Sequence, residues 1–182
     1  MFNSIGSYQG MAPTVPASCF IHPGAQVIGD VVLGENVSIW PFAVVRGDVN
    51  SIRIGNNTNV QDLCMLHVSH RRPEDPEGAP LIIGENVTIG HQVALHGCTI
   101  GDECLIGIGT IVLDRVIIES QVVVGAGSLV PPGKVLKSGY LYLGRPVKEI
   151  RRLTEAELAH FKYSAEHYVR VKRHYQAEVG QI

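Results

Sequence analysis

From residue 33 to 130 an aliphatic side chain returns every six positions, and this period constrains the fold more than any other feature of the chain. The residues fall into sets of three: Leu33/Ile39/Val45, Ile54/Val60/Leu66, Ile83/Ile89/Leu95, Ile100/Ile106/Val112 and Ile118/Val124/Val130. Two positions before most of them stands a second small or β-branched residue, such as Val37, Ala43, Thr58, Cys64, Cys98 and Cys104. Inward positions two residues apart are the signature of a strand. A residue that tolerates a tight bend follows many of the aliphatics, among them Gly34, Gly55, Gly84, Gly101 and Pro131. A bend every six residues is too frequent for a hairpin sheet. The pattern predicts a coil of triangular cross-section, with three short strands per turn and each turn stacked on the last. One turn cannot bury its apolar edge alone, so stability must come from stacking. A partial turn over about 21–29 precedes the clear ones, and an aromatic content of only 6% suits a narrow interior.

The triplets are not evenly joined. Between Val45 and Ile54 there are three extra residues, around Arg46, Gly47 and Asp48. Between Leu66 and Ile83 a loop intrudes, residues 69–80 (SHRRPEDPEGAP), whose Pro, Gly and charge content reads as a solvated excursion. Beyond Pro132 the pattern fades through 139–146. A helix is then expected: Thr154 and Glu157 form a capping box, and Leu158, Phe161, Ala165, Tyr168 and Val169 make an apolar stripe at helical spacing. The reading is a repeat domain over 1–152 and a helical unit over 153–182, packed on the coil or on a neighbouring subunit.

Bulk properties exclude several classes. A net charge of −2 and a pI of about 6.4 leave no electrostatic footprint for nucleic acid. No apolar run approaches the roughly 20 residues of a membrane span. The first residues, MFNSIGSYQG, lack the basic and apolar regions of a signal peptide, so a cytoplasmic location is expected. Cys64, Cys98 and Cys104 occupy inward positions and read as small buried hydrophobes rather than disulfide partners or reactive thiols.

The repeat also places the histidines. His67 follows Leu66 and His96 follows Leu95, the third corners of adjacent coils. They share a column, about 4.8 Å apart by strand spacing. Such a pair suits two ligands of one zinc. His91 lies two residues past Ile89, at the second corner, and points off another edge. A side chain cannot cross a packed prism. His91 should therefore meet His67 and His96 of another copy, and three copies about a threefold axis close that contact into a ring. Arg46 falls below His67 on the third-corner column. Gln61 follows Val60, and Asp62 sits directly below His91. A carboxylate at that place is what a metal-ligating histidine needs behind it. His22, His70, His160, His167 and His174 read first as surface or satisfied residues. Those on the helix, His160, His167 and His174, fall seven apart on one solvated or intersubunit face.

The segments VVRGDV (44–49), NVQD (59–62), LHV (66–68) and IGHQVALHG (89–97) resemble those of the gamma-class carbonic anhydrases, within the hexapeptide-repeat proteins. The resemblance covers roughly residues 10–150. It implies an all-β, left-handed parallel β-helix with a C-terminal α-helix, assembled as a homotrimer with zinc at each subunit interface. Iron or cobalt suits three imidazoles as well. It implies His67 and His96 from one chain and His91 from the next. It implies that Arg46 and Asp48 form intersubunit ion pairs, with Arg46 near bicarbonate, that Gln61 positions a metal hydroxide, and that Asp62 orients Gln61. The implied chemistry is attack of that hydroxide on CO2, made possible because the metal brings water to ionise near pH 7.

The chain departs from the family at proton removal. Val49 stands where a glutamate is expected, and His70 stands three past His67 in place of another. His70 fits two readings, a proton carrier with a reference pKa of about 6.5 or a loop residue without a role. Tyr140 and Tyr142 are candidate contributors to the site. Two other functions are compatible with the repeat. One is an acyltransferase or thioesterase acting on acyl-CoA substrates. The other is a non-catalytic trimeric scaffold with a structural metal.

Overall fold

A computed structural model describes residues 4–179. Residues 1–3 of the N-terminal segment and 180–182 of the helical unit lie outside the described residues. The chain winds as a left-handed parallel β-helix with one C-terminal helix. Its inward column is the predicted one. Leu33, Ile39 and Val45 are buried, and so is every later member of the five triplets and every small residue placed two positions before them. Inward and outward side chains alternate along each strand, as in Gln26–Leu33. Pairing is parallel from coil to coil: Ile39 with Val60, Val60 with Ile89, Ile89 with Ile106, Ile106 with Val124.

The corners are turned by residues in the left-handed region. At the first corner these are Asn36, Asn57, Asn86, Glu103 and Gln121. Asparagine tolerates this conformation better than most residues, and the stacked amides bond to each other, Asn36 Nδ2 to Asn57 Oδ1 at 3.3 Å and Asn57 Nδ2 to Asn86 Oδ1 at 3.1 Å.

Three features differ from the sequence reading. The extra residues lie later than expected. Gly47 still pairs with Gly29 on the coil below, and pairing resumes at Ile52 with Val31, so the insertion falls within 48–51 of the single strand Val44–Ile54. The repeat also continues past 132. Leu136 and Tyr142 are buried in the same column, and Tyr142 pairs in parallel with Val124. The larger Tyr142 ring occupies the last level, where nothing further has to stack. The antiparallel strands Tyr140–Gly144 and Val147–Arg152 close that end. Finally, the loop 69–80, solvated as expected, is also braced, with Ser69 and Ala79 paired across its base.

Helix α1, Glu155–Val179, starts at the expected box: the Glu157 N–H donates to Thr154 Oγ1 at 3.3 Å and the Thr154 N–H to Glu157 Oε2 at 2.8 Å. Phe161 and Ala165 are buried, with Leu158, Tyr168 and Val169 half-buried beside them. The helix runs back along the second face of its own chain toward the first coil. The Tyr168 and Tyr175 rings lie 5.7 and 5.1 Å from Trp40, and Tyr175 lies 5.9 Å from Phe20. Near its C-terminal end the buried Lys172 donates to the Ser18 carbonyl, and Gln176 Nε2 donates to that of Cys19 at 3.1 Å. Burial pushes the Lys172 pKa down. His160, His167 and His174 are exposed. No helix among the described residues is long and apolar enough to cross a membrane.

Candidate metal centre

The third corner carries the histidine pair. Strands Met65–His67 and Ala94–His96 lie side by side with His67 opposite His96. The rings are tilted, centroids 5.2 Å apart, and His67 Nδ1 lies 3.2 Å from His96 Nε2. The other nitrogen of each ring meets a carboxylate. His67 Nε2 is 3.0 Å from Asp48 Oδ1, and His96 Nδ1 is 2.8 Å from Asp114 Oδ1. His91 sits at the second corner with Nδ1 2.9 Å from Asp62 Oδ2. Each of the three imidazoles therefore has its own carboxylate.

An ionised carboxylate only accepts, so each such contact fixes the ring proton on the nitrogen facing it and leaves the opposite nitrogen a lone-pair donor. For His67 and His96 those lone pairs converge. Two ligand nitrogens about 2.05 Å from a tetrahedral zinc stand roughly 3.3 Å apart, and the observed separation is 3.2 Å. The donor chemistry and spacing fit a metal held by two histidines of this chain. Among the described residues no three His, Cys, Asp or Glu side chains converge as a metal-ligand set. A third donor to such an ion would have to come from elsewhere, and His91 stands on another corner.

The remaining predicted residues fall as follows. Arg46 Nη1 pairs with Asp48 Oδ2. Within the chain these two side chains pair with each other, because residues two apart on one strand project to the same side. Burial raises the Asp48 pKa, but hydrogen bonds from His67 and Arg46 outweigh it and hold the carboxyl below its ordinary value. Gln61 is buried and donates Nε2 to Asn59 Oδ1 at 3.1 Å. Within the chain Asn59 holds the glutamine amide, and Asp62 Oδ2 faces His91 Nδ1. Asn59 in turn donates to Thr88 Oγ1 at 3.0 Å, which lies 2.9 Å from Ser164 Oγ of α1. His70 is exposed on the loop. Tyr140 and Tyr142 are remote in bonding: Tyr142 engages Lys137 and Glu149, and Arg152 lies over the Tyr140 ring at 4.9 Å. They close the last coil instead of joining the site.

Residues that sequence reasoning missed include Asp114, Ser69, Asn59 and Tyr168. Asp114 had a signal. It lies two past the third-corner Val112, one coil above Gly97, at the offset that correctly placed Asp62 under His91. Asn59 and Thr88 are outward residues of the second face, buried only because α1 covers them. Tyr168 lies on α1 near Asp62, and burial, then that carboxylate, raises its pKa.

Comparison with known proteins places this geometry in a family. Residues 13–47 and 97–132 match the family described as bacterial transferase hexapeptide (six repeats). The chain is 44% identical over 170 residues to the carbonic anhydrase of Geobacillus kaustophilus, covering 93% of this chain and 90% of that protein. The chain belongs to the gamma-class carbonic anhydrase-like branch of the hexapeptide-repeat proteins. It is also 51% identical to Protein YrdA of Escherichia coli K12, across 100% of this chain and 98% of that one. Mitochondrial gamma carbonic anhydrase 2 of Arabidopsis thaliana is 40% identical over 92% of this chain, which spans 60% of the plant protein. Among solved structures, a hexapeptide transferase family protein from Anaplasma phagocytophilum superposes with a TM-score of 0.87 at 42% identity, covering 94% and 97% of the two chains. A putative acetyltransferase from Bacillus cereus gives 0.88 at 40% identity, covering 95% and 96%.

Proposed function

We propose that this protein is a zinc-dependent carbonic anhydrase-like enzyme that converts CO2 and water to bicarbonate at sites shared between the subunits of a homotrimer. The observation that carries this reading is the convergence of His67 Nδ1 and His96 Nε2, 3.2 Å apart, with a carboxylate behind each ring. His67 Nδ1, His96 Nε2 and His91 of a second copy would hold the ion. Bound zinc supplies a Lewis acid that brings the ionisation of water close to pH 7. The chain's own residues do the rest. Asn59 takes the Gln61 amide N–H, which leaves Gln61 Oε1 as an acceptor that orients a water proton. Arg46, its side chain 39% exposed, offers a cation to an anionic product. His70, exposed three residues beyond His67, carries protons to solvent in place of the missing glutamates.

Stopped-flow CO2 hydration by the fully zinc-loaded protein tests the reading. Hydration well above that of free zinc is expected, lost in His67→Ala. Rates no greater than those of free zinc in a fully loaded protein would sink it. His70→Ala should lower kcat more than kcat/KM and regain rate with added imidazole.

A second reading, hydrolysis or transfer of an acyl thioester, is favoured by one feature. A groove of about 380 Å³ runs from Gln61 and His91 past Gly90, Gly107 and Gly125, walled by Ile108 and Ala126. Its lining is mostly apolar, which suits an acyl chain. Thioester turnover that survives His67→Ala would favour this reading over the first.

A further inference from the structure

Both interruptions of the six-residue repeat end at the histidine pair. The insertion in Val44–Ile54 brings in Asp48, which faces His67, and Asn50, which is 7% exposed. Asn50 Nδ2 donates to the carbonyls of Ser69 at 3.0 Å and Glu77 at 2.8 Å, and so ties together the two ends of the loop 69–80. Arg115 secures the same loop by an ion pair with Asp75. At the base of the loop, Ser69 Oγ donates to Asp114 Oδ1 at 3.0 Å. That oxygen is the one that faces His96 Nδ1 at 2.8 Å. The space for it is reserved: a Cβ on Gly97 would stand 2.3 Å from Asp114 Oδ1 and 2.6 Å from the Ala79 Cβ.

We propose that Asp114 is the positioning residue of His96, and that the loop, locked by Asn50, holds Asp114 in place through Ser69. This rests on the metal reading above. The physical argument concerns the ring. An imidazole can rotate and can carry its proton on either nitrogen. Only the form with Nδ1–H presents the Nε2 lone pair toward His67, and a carboxylate against Nδ1 selects that form. Ser69 supplies the second bond that keeps the carboxylate from swinging into solvent, since the Asp114 side chain is 33% exposed. A loop that looks like an excursion is then part of the ligand scaffold.

The test is zinc competition between the full-length protein and a chromophoric chelator, beside chemical denaturation of the metal-free form. Asp114→Ala should weaken zinc binding roughly 10- to 100-fold. Asp114→Asn, which keeps an acceptor oxygen, should recover most of that loss, and Ser69→Ala should fall between. Wild-type zinc affinity in a folded Asp114→Ala protein overturns the proposal and leaves the metal reading standing. A wild-type protein that takes up no zinc overturns both. If Asp114→Ala does not fold, the His96 tautomer of the metal-free wild type decides, read from long-range 1H–15N correlations. Protonation on Nδ1 supports the proposal, and protonation on Nε2 overturns it.

Discussion

Ile106 has none of its surface exposed and is paired with Ile89 below and Val124 above. Each inward residue of the column serves two interfaces at once, so removing one opens a cavity that neither coil can close without losing register. Ile106→Ala should cost about 2–5 kcal/mol in denaturant unfolding. The inward cysteines follow the same logic. Burial pushes the Cys64 and Cys104 thiols up to about 12 and that of Cys98 also well above its ordinary value. A thiolate is the reactive species. Iodoacetamide at pH 8 should therefore leave these thiols unmodified in the native protein and label them after denaturation. Rapid native labelling of Cys98 would contradict the packing.

The helix is the element least governed by the repeat, and its start is the most charge-dependent. Hydrogen bonds from Arg151, then the backbone N–H of Thr154, hold Glu157 down to about 2. A carboxyl of this kind titrates near 4.3 when unfolded. Its folded pKa is the lower one, so its contribution is complete above about 4.3 and is lost as pH falls from there through about 2. Protection of the amides at the start of α1, measured relative to intrinsic exchange, should fall over that window, and Glu157→Gln should abolish that fall. Fraying that begins near neutrality would exclude Glu157 as its cause. Further along, α1 buries the outward polar residues Asn59 and Thr88, and so turns a solvated sheet face into the hydrogen-bonded support of Gln61.

At the scale of the molecule, the second and third corners of one coil cannot serve one metal ion together, and the proposed trimer resolves this by sharing. The consequence is complementation. His67→Ala and His91→Ala homotrimers should each lose all sites. In a mixed trimer, the junction where an intact His67/His96 pair meets an intact His91 is restored once. Unfolding and refolding the two variants together at equal amounts should regain about one site in four, from random assortment over cyclic trimers. Recovery of none would place the third ligand elsewhere.

The six-residue period by itself determined the inward column, the stacking of His67 on His96, and the position of Asp62 under His91. Each of these depends only on counting residues around a coil whose side chains alternate. The tertiary structure decided what the period does not encode. It decided that Asn59 holds the Gln61 amide, because α1 covers that face and buries its polar residues. It decided that Asp114 and Ser69 reach His96, because the bracing of an irregular loop depends on contacts between residues far apart in the chain. It decided that Tyr142 ends the core instead of reaching the site, because the coil continues one level further than its aliphatic signature. Where the repeat is regular, local periodicity and packing agree. Where insertions, loop and helix meet it, long-range hydrogen bonds choose the arrangement, and most of the carboxylates and amides that support the three histidines lie there.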